Sequence, residues 1–242
     1  AGVRDETVKG MPGEISPSLA AGFWASSKVK LRASASRAFR LPTFTDLYYR
    51  DPANIGNPGL RPESAWSYEG GADWRPAGAW RLSATLFQRR ERDGIDYAKS
   101  RLADPWVAMN INRLRFNGVE ASAGWRWRAQ VFDWAYTGLS GAAAAQPAMF
   151  SKYVFNYAAH SGIFAWTGSL RGVAARTRVG VLERLNRPVY GLWDVSLAWS
   201  RGALRPYVQA ANIANTRYQE IPGVAMPGRT LLGGVEVVWA GR

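Results

Sequence analysis

Residues 118–128 read GVEASAGWRWR. Val119, Ala121, Ala123, Trp125 and Trp127 form one alternate set; Gly118, Glu120, Ser122, Gly124, Arg126 and Arg128 form the other. A period of two marks a β-strand, whose side chains point alternately to opposite faces. The apolar set is poor in Val, Ile and Leu and closes with aromatics at one end. That pattern suits a strand with lipid on one side, a wet or filled interior on the other, and an aromatic girdle at the membrane surface.

Other segments repeat it. Trp66, Tyr68, Gly70, Ala72 and Trp74 alternate with Ser67, Glu69, Gly71 and Asp73. Trp193, Val195, Leu197 and Trp199 alternate with Asp194, Ser196 and Ala198. Leu231, Gly233, Val235, Val237 and Trp239 alternate with Leu232, Gly234, Glu236 and Val238. The acidic residue always falls opposite the aromatics.

Reading outward, the 242 residues divide into eleven strands: 16–25, 29–36, 65–75, 80–97, 107–128, 131–139, 152–160, 164–176, 190–200, 204–213 and 230–239. A bulge is expected near Asn112–Arg115, and a short helix in the Ala-rich loop 140–151. Short turns fall at 26–28, 76–79, 129–130, 161–163 and 201–203. Longer loops fall at 37–63, 98–105, 140–151, 177–189 and 214–228. Short turns on one side and long loops on the other follow the outer-membrane barrel rule. Phe23, Trp74, Trp80, Trp125, Trp127, Phe132, Trp134, Phe164, Trp166, Trp199 and Trp239 all sit beside the short turns, as a girdle requires.

Composition agrees. Twelve Trp are many for a water-soluble domain of this size, and no run of about 18 apolar residues offers a membrane helix. The net charge of +13 raises nucleic acid as a partner. The Arg residues are scattered and no binding motif accompanies them, so the charge is assigned to the barrel interior, the loop bases and an anionic outer leaflet. Cys is absent, which excludes disulfides and thiolate metal sites. An odd strand count leaves exposed edges, which a membrane does not tolerate. The expectation is therefore the C-terminal half of a larger barrel, with residues 1–242 one domain; a twelfth strand within 1–13 is the weaker reading.

Four stretches carry a resemblance. They are SRAFRLPTFTDLY (36–48); GNPGLRPE (56–63) with Ser67-Tyr68-Glu69; Asn110-Ile111 with Gly118-Val119-Glu120; and NIANTRY (212–218) with Pro227-Gly228-Arg229 and a terminal aromatic strand. Together, in this order, they resemble TonB-dependent outer-membrane receptors. The resemblance implies an antiparallel up-and-down transmembrane β-barrel of 22 strands around an N-terminal plug, half of it here. It implies energy from the TonB complex through an N-terminal TonB box, neither plug nor box being among these residues. It also implies a Gram-negative outer membrane with its lipids, a small-molecule nutrient ligand and a monomer at full length. LYYRDPANIGNPGLRPE and NTRYQEIPGVAMPGR are most similar to the cobalamin-receptor branch, with siderophore receptors next. Family members usually end in Phe or Trp, whereas here Ala240-Gly241-Arg242 follow Trp239.

Tyr48, Tyr49, Arg50 and Asp51, on the long outer loop, are the candidate ligand-binding residues; packing of the loop is the competing role. Asp46, Asp51 and Asp104 have no calcium-loop spacing, so no metal and no cofactor is expected. Glu69, Asp73, Glu120, Asp194 and Glu236 are expected to face inward with Lys30, Arg32, Arg81, Arg126 and Arg171. His160, the single histidine, is expected beside the short turn 161–163, the wrong rim for a lipid-side hydrolase, so no enzyme is expected. A passive porin or autotransporter-like barrel is the alternative to a receptor.

Overall fold

The computed structural model describes residues 1–8, 13–76, 78–111, 113–143, 150–153, 157–220 and 224–239. The strands are β1 (Gly2–Glu6), β2 (Glu14–Ser26), β3 (Val29–Arg40), β4 (Asn54–Ile55), β5 (Glu63–Trp74), β6 (Trp80–Arg92), β7 (Gly94–Lys99), β8 (Trp106–Ile111), β9 (Leu114–Trp127), β10 (Gln130–Ala143), β11 (Phe150–Ser151), β12 (Ala158–Leu170), β13 (Val173–Arg184), β14 (Tyr190–Trp199), β15 (Leu204–Ala211) and β16 (Thr230–Val237), with one helix, α1 (Phe44–Tyr48). Twelve strands form one sheet in the order β1-β2-β3-β5-β6-β9-β10-β12-β13-β14-β15-β16. A second sheet holds β11-β7-β8-β4.

The main sheet therefore holds twelve strands among the described residues where eleven were expected, and the twelfth, β1, lies within 1–13, the reading held to be the weaker. β1 pairs antiparallel with β2, Gly2 opposite Ser18 and Glu6 opposite Glu14. Its Arg and Asp concealed it, because a short strand with no aromatic positions has no apolar face to read.

Two long predicted strands are each divided. β6 ends at Arg92 and β7 begins at Gly94, with Asp93 at φ 55° between them. β8 ends at Ile111 and β9 begins at Leu114, with Arg113 at φ 56°. The irregularity expected at 112–115 is thus a change of sheet rather than a bulge. Left-handed conformations at non-glycine residues carry the chain out of one sheet and back into it.

The 161–163 turn is overturned. Ser161-Gly162-Ile163 lie inside β12, opposite Thr137, Tyr136 and Ala135. The reversal comes at Arg171 (φ 52°) and Gly172 (φ 92°), the two positive-φ positions that a two-residue hairpin requires. The supposed loop 177–189 is mostly β13, where Val173, Ala175, Thr177, Val179 and Val181 alternate with Ala174, Arg176, Arg178, Gly180 and Leu182. Arg at alternate positions lowers the mean hydropathy of a segment without breaking its period. Lys152 and Tyr153 follow β11, and the strand expected over 152–160 contributes only its end to β12. The helix expected in 140–151 falls mainly on 144–149, outside the described residues, as does the tail 240–242.

The chain forms two compact units: 1–73, 84–119 and 139–157; and 74–83, 120–138 and 158–242. In the second, Trp80, Trp125, Trp127, Phe132, Trp134 and Phe164 make a continuous ring array with centroids 5.1–6.3 Å apart. Trp166 lies opposite Phe132 and Phe164 opposite Trp134, so both belong to this band despite the misplaced turn. The Trp166 indole N–H donates to Gln130 at 2.7 Å and that of Trp193 to Thr177 at 2.7 Å. Polar handles on a lipid face need such internal partners. The opposite face carries Arg81–Asp133, Arg178–Asp194 and Arg205–Glu236, each 3.8 Å.

The first unit shows the same division. Trp66 stacks on Tyr68 on one face, while Arg32 pairs with Asp73 at 3.5 Å on the other. Large apolar side chains stay exposed on the sheet, Leu86 in this unit and Leu231 in the second each at 69%. A soluble fold would bury them. The buried cluster in this unit is small and lies off the sheet: Leu47, Leu60 and Ala108, with Ile95 and Tyr97 packed against it.

Candidate ligand-capture loops

The long loop after β3 is built from its sequence inward. Thr43 caps α1: its hydroxyl accepts from the Asp46 N–H at 3.1 Å, and Asp46 accepts from the Thr43 N–H at 2.9 Å, a reciprocal capping box. Arg40 joins Asp46 at 3.2 Å and Glu63 at 2.8 Å. Burial pushes the Asp46 carboxyl up, but the Thr43 bonds and Arg40 outweigh it and hold the group below the usual range.

GNPG closes on that helix. A Cβ at Gly56 would lie 2.9 Å from the Leu47 carbonyl carbon and the Tyr48 nitrogen, so only glycine admits this approach. The Asn57 N–H donates to Asp46 O at 2.8 Å, and Asn57 Oδ1 accepts from Gly59 at 2.9 Å. Asn110 then clamps the loop to the hairpin β7–β8. It accepts from the Arg61 N–H (2.9 Å) and donates to Arg61 O (2.9 Å) and Asp93 O (2.7 Å). Glu63 accepts from the Ile95 N–H at 2.7 Å. The motifs that are distant in sequence, LRPE and Asn110-Ile111, therefore form one joint.

The four candidate residues separate into two roles. The Tyr49 hydroxyl donates to Asp51 at 2.9 Å, and Asp51 accepts from the N–H groups of Ala53 (2.7 Å) and Asn54 (2.5 Å). These donors overcome the desolvation that would raise the Asp51 carboxyl and hold it below its ordinary range. Tyr49 and Asp51 thus shape the turn. Tyr48 is 56% exposed with its ring 5.0 Å from Phe44, itself 79% exposed, and the Arg50 side chain is exposed. Asp46, Asp51 and Asp104 each already serve local donors; Asp104 accepts from the Arg101 N–H at 3.0 Å.

Sequence reading missed Asp96. It is 1% exposed on β7 and accepts from the Ser151 hydroxyl and from the Tyr153 N–H at 3.2 and 3.3 Å. Beside it, Lys152 donates to Asn54 at 3.0 Å and lies 5.5–6.0 Å from the rings of Tyr97, Trp106 and Tyr153. Asp96 pins β11 to the hairpin. No period in sequence announces such a contact between distant loops.

In the second unit NIANTRY makes a comparable clamp. Asn212, buried at φ 48°, donates through its backbone N–H to Asp194 (2.9 Å), donates through Nδ2 to Thr216 O (2.9 Å) and accepts from the Thr216 N–H (2.9 Å). Asn215 accepts from the Arg229 N–H at 2.9 Å. Tyr218 stacks on Tyr190 at 5.0 Å. Burial, with Glu220, Tyr190 and Asp194, pushes the Tyr218 phenol up. Arg187, Arg217 and Met226 join the two tyrosines around a cleft of about 810 Å3. The Tyr190 hydroxyl is buried and has no hydrogen-bond partner among the described residues.

His160 is not where the sequence placed it. It lies on β12 opposite Gly138 and Glu183, away from the Arg171-Gly172 turn, with Nδ1 2.7 Å from the Tyr136 hydroxyl. Placement at the wrong rim is therefore no argument against hydrolysis. Ser161 points to the opposite face, so these neighbours form no dyad. Arg171 occupies the turn rather than the inward face expected of it.

A family model described as "TonB dependent receptor-like, beta-barrel" matches residues 1–215. The chain belongs to that family. As a TonB-dependent receptor barrel, its apolar face meets the lipid of a Gram-negative outer membrane, and it crosses with strands; no helix among the described residues is long and apolar enough to do so. The chain is 33% identical over 116 residues to a vitamin B12 transporter of Photobacterium profundum, covering 44% of this chain and 17% of that protein. A vitamin B12 transporter of Vibrio vulnificus is 34% identical over 106 residues, 43% of this chain and 16% of that protein. Among solved structures, the siderophore receptor PirA from Acinetobacter baumannii superposes with a TM-score of 0.75 at 12% identity, over 96% of this chain and 42% of that one. The copper transporter OprC gives 0.73 at 14% identity, over 94% and 40%. The chain thus spans about two fifths of these two proteins, and at such identities they share its fold.

Proposed function

We propose that this chain forms part of a receptor that takes up a scarce, bulky nutrient across the outer membrane, cobalamin or an iron siderophore, driven by the TonB complex through an N-terminal box. The similarity to vitamin B12 transporters over 44% of the chain carries the reading and favours cobalamin. Tyr48 and Arg50 present an exposed ring and a charge for ligand capture, a pairing common at binding hot spots. Tyr49 and Asp51 hold that turn in shape. The cobalamin ligand class and these contacts are tested together on the full-length protein. Labelled cyanocobalamin and a ferric siderophore are offered to cells with and without a functional TonB complex, and Tyr48→Ala and Arg50→Ala are compared with wild type. Saturable, TonB-dependent cyanocobalamin uptake that weakens in both variants is expected. Steady conductance independent of TonB would instead establish the passive porin.

A further inference from the structure

The lipid-facing side of the first unit changes character abruptly along two neighbouring strands. On β6 the alternate residues of this unit run Ala84, Leu86, then Gln88, Arg90 and Arg92. On β9 they run Arg115, Asn117, then Val119. Gln88 donates to Asn117 at 2.7 Å, so both strands leave the apolar band at the same level. Immediately beyond, Arg90, Arg92, Arg113 and Arg115 line one cleft of about 470 Å3, with Glu91, Leu114 and, from β10, Ala142. All four Arg are exposed, and none forms an ion pair among the described residues. The nearby carboxylates are engaged: Glu91 with Arg89 at 2.6 Å and Asp93 with Arg61. Tyr68 fixes the depth, its ring 5.8 Å from the Arg90 guanidinium and stacked on Trp66. An aromatic pair at this level marks the membrane interface.

The geometry points to a binding site for the phosphorylated headgroup of an outer-leaflet lipid, held by Arg90, Arg92, Arg113 and Arg115. Guanidinium groups pair with phosphate oxygens through charged, often bidentate hydrogen bonds. The low dielectric of the adjoining lipid strengthens such pairing. A ligand of the transport path would sit on the opposite, ionic face of the sheet, so this site depends on the membrane placement and not on which nutrient is carried.

The test uses the full-length receptor in mild detergent, mixed with bis-phosphorylated lipid A or with the same lipid after phosphatase treatment. Native mass spectrometry reads the lipid retained, and the heat-dependent electrophoretic shift confirms that each variant is folded. The receptor is expected to keep the phosphorylated lipid, and R90Q/R92Q and R113Q/R115Q each to lower its occupancy at least about fivefold. Equal retention of the dephosphorylated lipid, or wild-type retention in both double variants, would overturn the site. Displacement by inorganic phosphate at equal phosphate concentration would overturn the lipid as its occupant and leave a free-anion site. The two double variants alter different segments, the end of β6 and the start of β9, so one can misfold without disabling the other.

Discussion

Gly118, in the stretch that decides the fold, has a consequence that can be measured. A Cβ added there would fall 2.1 Å from Phe87 Cζ and 2.5 Å from Cε1, against an ordinary contact of about 3.5–4 Å. The Phe87 ring therefore covers the glycine, a cross-strand arrangement known to rescue glycine in sheets. Gly118→Ala must push the ring off the strand, and overpacking of this kind costs about 1–3 kcal/mol. Against that, alanine in a strand recovers roughly 0.5–1 kcal/mol of the entropy glycine loses. The net expectation is a destabilisation of about 1–2 kcal/mol. In a Phe87→Ala background the clash is gone, so the same substitution becomes neutral or stabilising, giving a coupling energy above about 1 kcal/mol. Urea unfolding of the full-length receptor in micelles, followed by Trp fluorescence with matched slopes, measures all four corners of the cycle. A Gly118→Ala penalty that is the same with and without Phe87 would refute the argument.

Three further outcomes follow from the loops. Asp96→Ala leaves the Ser151 hydroxyl and the Tyr153 N–H without their buried acceptor, a loss of about 1–3 kcal/mol; hydrogen exchange at Tyr153 should quicken while the sheet strands keep their protection. Tyr190→Phe removes a buried hydroxyl with no partner among the described residues and should leave stability unchanged or slightly higher, whereas Tyr218→Ala should lose about 0.5–1.5 kcal/mol of ring stacking, both read from urea midpoints. Asp46 has its folded pKa depressed, so its contribution to α1 is complete above the unfolded value of about 3.9 and is lost as pH falls through the lower folded value; exchange rates at Leu47 and Tyr49 between neutral and acidic pH should show it, and Thr43→Ala should move the loss to higher pH.

The strand alternation was legible because each sheet face meets one environment throughout. Lipid demands apolar side chains at every second position, and that demand survives even where β12 was cut at the wrong place. The order of residues also exposed the family motifs, but not what they do. GNPG, Asn110 and NIANTRY hold loops by hydrogen bonds between residues far apart in the chain, and no local period encodes such partners.

The all-β, two-faced membrane architecture follows from residue order alone, since a period of two and Trp at the strand ends are local properties. Only the folded chain settles where β6 and β8 leave one sheet for another, which of Tyr48, Tyr49, Arg50 and Asp51 are bound into their own turn, and that Arg90 and Arg92 of β6 share one cleft with Arg113 and Arg115 from the start of β9. Those outcomes depend on left-handed residues at Asp93 and Arg113 and on strand register, which bring together side chains whose separation in sequence carries no signal of their contact.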